Sequence, residues 1–200
     1  GNRSSGKQGH VIATALSDAG ASVTLVCGPV NLPAPAGVKT IEIETAEEML
    51  NACENSLPAD IAICAAAVSD WRAASLASNK IKKGAGKNPP ALSLVENPDI
   101  LRTIATHKTK RPALVIGFAA ETENLIENAK AKLAKKSCDW ILANNVGEED
   151  IFGADENHVY LVTNNNTIEW PRSDKQTIAR DLIAEIINHF NKQKRLEAAE

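Results

Sequence analysis

Two stretches carry the residue types that do chemistry. Ala65-Ala66-Ala67-Val68-Ser69-Asp70-Trp71-Arg72 closes an apolar run with a single acid, and Lys80-Ile81-Lys82-Lys83-Gly84 follows with a lysine cluster completed by Lys87. In open α/β sheets, ligands bind just beyond the carboxyl ends of the strands. A strand end, a carboxylate and a cationic loop with glycines at Gly84 and Gly86 therefore suit a phosphorylated or nucleotide ligand, the loop serving as a lid. A solvated loop is the competing reading of the lysines.

A second anion site is expected at the chain start. Gly1-Asn2-Arg3-Ser4-Ser5-Gly6-Lys7-Gln8-Gly9 leads into a helical pattern with Val11, Ile12, Ala15, Leu16 and Ala19 on one face. The N-terminus of such a helix exposes backbone N–H groups and the positive end of its dipole. Gly1 to Lys7 matches G-x-x-x-x-G-K, but Gln8 stands where a P-loop needs Ser or Thr for magnesium. The alternative is a helix start with no ligand.

The remaining reactive residues are scattered. Cys27, Cys53, Cys64 and Cys138 form no metal-like pair and read as free, buried thiols, which fits a reducing cytoplasm. His10, His107, His158 and His189 suggest neither a zinc site nor a triad. Covalent catalysis by a side chain is disfavoured, because no serine, cysteine or histidine sits in an activating arrangement. A dinucleotide oxidoreductase is the rival for this sheet pattern. It lacks the G-x-G-x-x-G fingerprint, and Tyr160 has Asn164 rather than lysine four residues on.

The positioning elements read as follows. Strands are expected over 22–27, 38–43 and 60–68, and Thr45-Ala46-Glu47-Glu48 reads as a capping box opening a helix with Met49, Leu50 and Cys53 inward. Ala91 to Val95 reads as a small strand. Asn97-Pro98-Asp99 reads as a helix start, with Asn97 the capping residue, Pro98 at the first helical position and Ile100, Leu101, Ile104 and Ala105 inward. For Asn97 and Asp99, capping alone competes with ligand binding. Leu114 to Phe118 is a buried strand whose terminal Phe118 could cover a ligand or pack in the core. A helix over 123–135 carries Lys130, Lys132, Lys135 and Lys136 in its later turns, where the dipole favours cations anyway.

A strand over 140–143 follows. Strands over 159–162 and 167–170 flank the turn Asn164-Asn165-Asn166. Ser173-Asp174-Lys175-Gln176 caps a final helix with Ile178, Leu182, Ile183, Ile186, Ile187 and Phe190 inward, and residues past Asn191 are expected to fray. The order of elements predicts an α/β, three-layer, Rossmann-like sheet with helices on both faces.

Composition agrees. The 200 residues are 44% hydrophobic and 24% charged, enough for one core, and a net charge of −3 gives no reason to expect nucleic acid. No apolar run approaches a membrane span. One domain over 1–192 with a flexible tail over 193–200 is expected.

The order of motifs resembles bacterial phosphopantothenate–cysteine ligase. It rests on Asn2 to Gly9, Ala65 to Trp71, Lys80 to Lys83, Asn97-Pro98-Asp99-Ile100, Gly117-Phe118-Ala119-Ala120-Glu121 and Ala143-Asn144-Asn145-Val146. The resemblance implies a ribokinase-like sheet with a small β dimerisation appendage. It also implies a CTP-dependent, magnesium-requiring ligase that joins 4′-phosphopantothenate to cysteine through an acyl-cytidylate. By motif, Asn2 matches the asparagine that holds the activated acyl group, and Lys80 the catalytic flap lysine. Ser4, Ser5, Gly6, Ala65, Ala66, Ala67, Asp70, Asn97, Pro98, Asp99, Ile100, Phe118, Lys132 and Lys136 match nucleotide-contacting positions. The metal ligands stay unassigned.

The same resemblance implies a homodimer, served by the strands near 91–95 and by the 159–170 hairpin. It also implies fusion to a flavin-dependent decarboxylase, so no FMN is expected in this half. The family normally places a strand and a Gly-Pro-Thr-type loop before the asparagine motif, and this chain begins at Gly1-Asn2. An upstream strand contributing to the phosphate site is thus expected outside this sequence. A non-catalytic nucleotide-binding or dimerisation module remains the alternative from a different class.

Overall fold

A computed structural model describes residues 5–75, 92–145 and 156–198. In chain order these form α1 (Lys7–Asp18), β1 (Thr24–Cys27), β2 (Lys39–Glu42), α2 (Ala46–Asn55), β3 (Ile61–Cys64), β4 (Trp71–Ala73), β5 (Leu94–Glu96), α3 (Ile100–Ala105), β6 (Leu114–Glu121), α4 (Leu125–Lys136), β7 (Trp140–Asn145), β8 (Glu156–Thr163), β9 (Thr167–Asp174) and α5 (Lys175–Glu197).

Five strands form the central sheet in the order β3-β6-β7-β8-β9. The first three run parallel, with Ile61 opposite Leu114 and Ile116 opposite Trp140, and β8 and β9 join antiparallel. β1 and β2 pair in parallel as a separate unit, and β4 pairs antiparallel with β5.

Alternation along the strands builds the layers. Leu114, Ile116, Trp140, Leu142 and Leu161 share one cluster with Ile12 of α1 and Ile178, Leu182 and Ile186 of α5. Val115, Ala119, Ile141, Ala143 and Val162 share another with Ala105 of α3 and Ala129 and Leu133 of α4. Adjacent residues of β6 and β7 thus face opposite helical layers, as a period of two requires. Each leucine, isoleucine or valine among them, fully buried, contributes about 1.5–3 kcal/mol. A third cluster joins Met49 and Leu57 to Ile100 and Ile104, with Val26 of β1 and Ala62 of β3 packed on it. The α/β layered fold expected from the sequence is the one observed.

Gly117 lets α3 lie close to the sheet: a Cβ there would sit 2.6 Å from Leu101 Cδ2 and 2.8 Å from Ile141 Cδ1.

Several local expectations change. The strand expected over 60–68 ends at Cys64, because the chain must turn there towards β4. Three residues expected in a loop, Trp71 to Ala73, form β4. The 159–170 hairpin is part of the main sheet, with Val159, Leu161 and Trp170 buried in its core. The cap of α3 is Asp99, not Asn97: its side chain accepts Arg102 N–H at 3.1 Å, and Pro98 precedes the cap. Asn97 is committed elsewhere, as described below. Asp174 likewise caps α5, accepting Thr177 N–H at 2.7 Å.

Ala19 is the exposed C-cap of α1 rather than part of its inner face, and Ile187 is 49% exposed. The turns past Asn191 stay helical to Glu197 with every residue exposed. The capping box at Thr45 and Glu48 forms with both its hydrogen bonds.

Candidate functional site

The loop 65–70 leaves the carboxyl end of β3. Ala66, Ala67 and Asp70 are exposed and Ala65 is half-buried, so backbone and acid both face solvent. Small side chains let a ligand approach the backbone closely. Two hydrogen bonds tie this loop to the start of α3: Asn97 N–H donates to Asp70 O at 2.8 Å, and Asn97 Nδ2 donates to Ser69 O at 2.8 Å. Asn97 therefore acts as a clip between loops, and its Oδ1, the atom that would cap a helix by accepting, faces the Arg72 guanidinium.

The adjacent corner is cationic. Lys136 Nζ lies 2.6 Å from Asp99 Oδ2, and Lys132 Nζ donates to the Phe118 carbonyl at 2.6 Å. Lysines four apart on α4 share one helix face. Burial pushes Asp99 upward, but the Lys136 hydrogen bond, the Arg102 N–H and the charges of both residues outweigh it, and the carboxyl titrates below its ordinary value. Burial pulls Lys132 down, helped by the like charge of Lys136 and opposed by Glu121 and Asp99. The corner borders the carboxyl end of β3, since the loop that leaves Cys64 is tied by Asn97 to the start of α3, which Asp99 caps.

Phe118 is half-buried and packs on the α1–α5 core cluster, so its ring does core work while its carbonyl faces Lys132.

At the α1 start, Gly6 holds the N-cap with φ 70°, a left-handed conformation that suits glycine. A Cβ there would also meet Val30 Cγ1 at 2.8 Å. No acidic residue occupies the first turn, and Ser5 Oγ accepts Lys7 N–H at 3.4 Å. Gln8 Nε2 is buried with no hydrogen-bond partner among the described residues, a donor still open beside this helix start.

The cysteines are all free. Burial pushes Cys64 up to about 12 and Cys138 up to about 11, so neither thiol is a nucleophile near neutral pH. Among the described residues no group of three or more His, Cys, Asp or Glu could hold a metal ion.

Of the residues singled out from sequence, the structure brings Asp70 beside Asn97 and gathers Asp99, Phe118, Lys132 and Lys136 at one corner. Asn2, Ser4, Lys80 and the rest of the lysine loop over 82–87, with Ala91, lie outside the described residues. The backbone contacts of Asn97 and Lys132 carry no sequence signal, since periodicity is blind to carbonyl partners 28 and 14 residues away. Arg72 had no assigned role. Its guanidinium reaches Glu96 O, Asn97 Oδ1 and Glu47 Oε1.

The family model described as "DNA/pantothenate metabolism flavoprotein C-terminal domain" matches residues 1–190. The chain belongs to this family. Among members of the DNA/pantothenate metabolism flavoprotein C-terminal domain family, a relative from Haemophilus influenzae named coenzyme A biosynthesis bifunctional protein CoaBC is 42% identical over 192 residues, covering 96% of this chain and 47% of the relative. The chain spans about half the length of the curated relatives it matches.

A crystal structure of the C-terminal domain of a coenzyme A biosynthesis bifunctional protein CoaBC superposes with a TM-score of 0.76 at 34% identity. It covers 96% of this chain and 86% of that one. A Cab2 variant in complex with phosphopantothenate-cysteine superposes at 0.71 with 15% identity, over 98% of this chain and 81% of that one, a likeness of fold. Among the described residues no helix is long and apolar enough to cross a membrane.

Proposed function

We propose that this chain is the phosphopantothenate–cysteine ligase unit of a coenzyme A biosynthesis protein, using CTP to join 4′-phosphopantothenate and cysteine. The observation that carries the reading is the corner where Lys132 and Lys136 meet Phe118 and Asp99 beside the 65–70 loop. It offers two ammonium groups and a rigid backbone rim at the carboxyl ends of parallel strands, the place for a nucleotide in such a sheet. Family membership and relatives named for coenzyme A biosynthesis support it.

In this reading the substrate carboxylate attacks the α-phosphorus of CTP. The P–O bond to the leaving pyrophosphate breaks and an acyl-cytidylate forms. The cysteine amine then attacks the acyl carbon, CMP leaves with the C–O bonding pair, and the amine proton passes to solvent. The residues work by charge and position, with no covalent intermediate on a side chain. Lys132, Lys136 and Lys80 oppose the triphosphate charge. The backbone at Ala65 to Ala67 and at Asn97 to Ile100, with Asp70, forms the nucleoside rim. The α1 start, with Ser4, Ser5 and Gly6, offers backbone donors to an anion. Asn2 donates to the activated acyl group.

Magnesium, bound as the nucleotide complex, supplies further charge neutralisation. Such an ion is commonly held by phosphate oxygens, water and few protein groups. Among the described residues no group of three or more His, Cys, Asp or Glu gathers, which fits that mode. The reading extends to a homodimer of single ligase domains over 1–192, acting in the cytoplasm. A flavin-dependent decarboxylase would be fused in the longer protein and FMN confined to that half.

Pyrophosphate release is the test, measured in the full-length protein. Release that requires both CTP and 4′-phosphopantothenate is expected, and Lys80→Gln should slow it with the melting temperature unchanged. Absence of release with both substrates present overturns the ligase. CTP binding without release favours the nucleotide-binding module.

A further inference from the structure

β4 and β5 pair through only three residues each, Trp71 with Glu96, Arg72 with Val95 and Ala73 with Leu94. Backbone bonds from Ala74 N–H to Ser93 O and from Asn97 N–H to Asp70 O extend the pair at both ends. Apolar side chains are exposed on both faces of the pair: Trp71 and Leu94, each 53% exposed, on one, and Val95, 38% exposed, on the other with Arg72. An isolated two-stranded unit of this size is marginal in water. Yet it joins the 65–70 loop to the 97–100 loop, the two backbone rims of the proposed nucleotide site.

Arg72 lies at the centre of this junction. One arm of its guanidinium donates to Glu96 O and, at 3.4 Å, to Asn97 Oδ1; the other donates to Glu47 Oε1 at 2.7 Å, in the first turn of α2. Asn97, so held, spends its amide N–H on Asp70 O and its Nδ2 on Ser69 O. The bonds form a closed circuit from β4 through Asn97 to the turn that carries Asp70, with α2 as its fixed post.

The Arg72 and Glu47 side chains are 38% and 60% exposed, so charge attraction alone does little here. The contribution is geometric. A planar guanidinium can hold a carbonyl, an amide oxygen and a carboxylate at fixed angles, and a flexible ammonium cannot.

We infer that Arg72 is a positioning residue, which locks the Asp70 loop to the Asn97–Ile100 loop and so presets the nucleotide rim without touching the nucleotide. The inference rests on the nucleotide-site reading above, and its test separates the two. Arg72→Lys keeps the charge and loses the fork. Hydrogen exchange at the Asn97 amide should speed up about tenfold, together with amides over 65–70, while amides of β6 and β7 hold their rates.

In the longer protein, R72K should weaken CTP binding about tenfold and leave 4′-phosphopantothenate affinity within about twofold. N97A should weaken it similarly, and the double variant no further than either single one, because both break one circuit. Glu47→Gln should have a smaller effect than R72K. Unchanged Asn97 exchange in R72K overturns the inference, as does an equal loss of affinity for both ligands. Wild-type protein that binds no CTP overturns the nucleotide reading instead, and the exchange rates still decide whether Arg72 locks the loops.

Discussion

Lys136 Nζ meets Asp99 Oδ2 at 2.6 Å, joining the last turn of α4 to the residue that caps α3. The same carboxylate accepts Arg102 N–H through its other oxygen. One acid therefore serves a helix cap and an interhelical ion pair, and it holds one of the two lysines of the cationic corner in place.

Asp99 titrates below its ordinary value in the folded chain, so its contribution is present above the unfolded carboxyl pKa and fades as pH falls through the native one. The pair is partly exposed, and its worth after solvent screening is about 1 kcal/mol or less. Lys136→Met should cost about that much at pH 7 and nothing once the pH is well below about 4. Urea unfolding at both values checks this, and an equal penalty at both would show that the carboxylate is not the partner that matters.

Lys132 is the opposite case. Burial lowers its pKa, so the charged form is penalised in the folded state and stability should rise as pH climbs through the native pKa towards about 10.5. Lys132→Met should abolish that alkaline gain and leave neutral-pH stability within about 1 kcal/mol. CTP affinity in the longer protein should fall about tenfold or more. Calorimetric titration and melting curves from pH 7 to 10 provide the comparison, and intact CTP affinity would remove Lys132 from the site.

Gly117 is required by contact rather than by backbone conformation. The methyl of Gly117→Ala would press on Leu101 Cδ2 and Ile141 Cδ1, so α3 must move off the sheet or two core side chains must leave their rotamers. A loss of about 1–3 kcal/mol is expected in chemical unfolding. Because α3 carries Asp99 at its cap, CTP affinity should fall with it. A neutral substitution would mean the helix has room to shift.

Cys64 and Cys138, raised to about 12 and about 11, should stay protonated at pH 8. Iodoacetamide should alkylate both at least about tenfold more slowly in the native chain than in urea, since the thiolate is the reactive form. Peptide mapping distinguishes the positions. Fast native labelling of Cys138 would contradict its burial at 4% exposure.

What the sequence by itself determined is what depends on near neighbours. The Thr45–Glu48 capping box, the continuous apolar runs of β6 and β7 and, Ile187 apart, the inward stripe of α5 each arise from residues within a few positions of one another, and the chain carries them visibly. The motif order pointed to the family for the same reason.

Only the tertiary structure decided where the cap of α3 falls. Asn97 and Asp99 are both good capping residues, and the structure gives the cap to Asp99: the Oδ1 with which Asn97 would accept a helix N–H receives Arg72 instead, while its N–H and Nδ2 hold Asp70 and Ser69, nearly thirty positions upstream. It likewise assigned Lys132 to the Phe118 carbonyl and Lys136 to Asp99, where helix polarity alone would have left both in solvent. Backbone carbonyls are chemically identical in every residue. Which one a lysine or an arginine finds is set by the fold, and no side-chain pattern announces it.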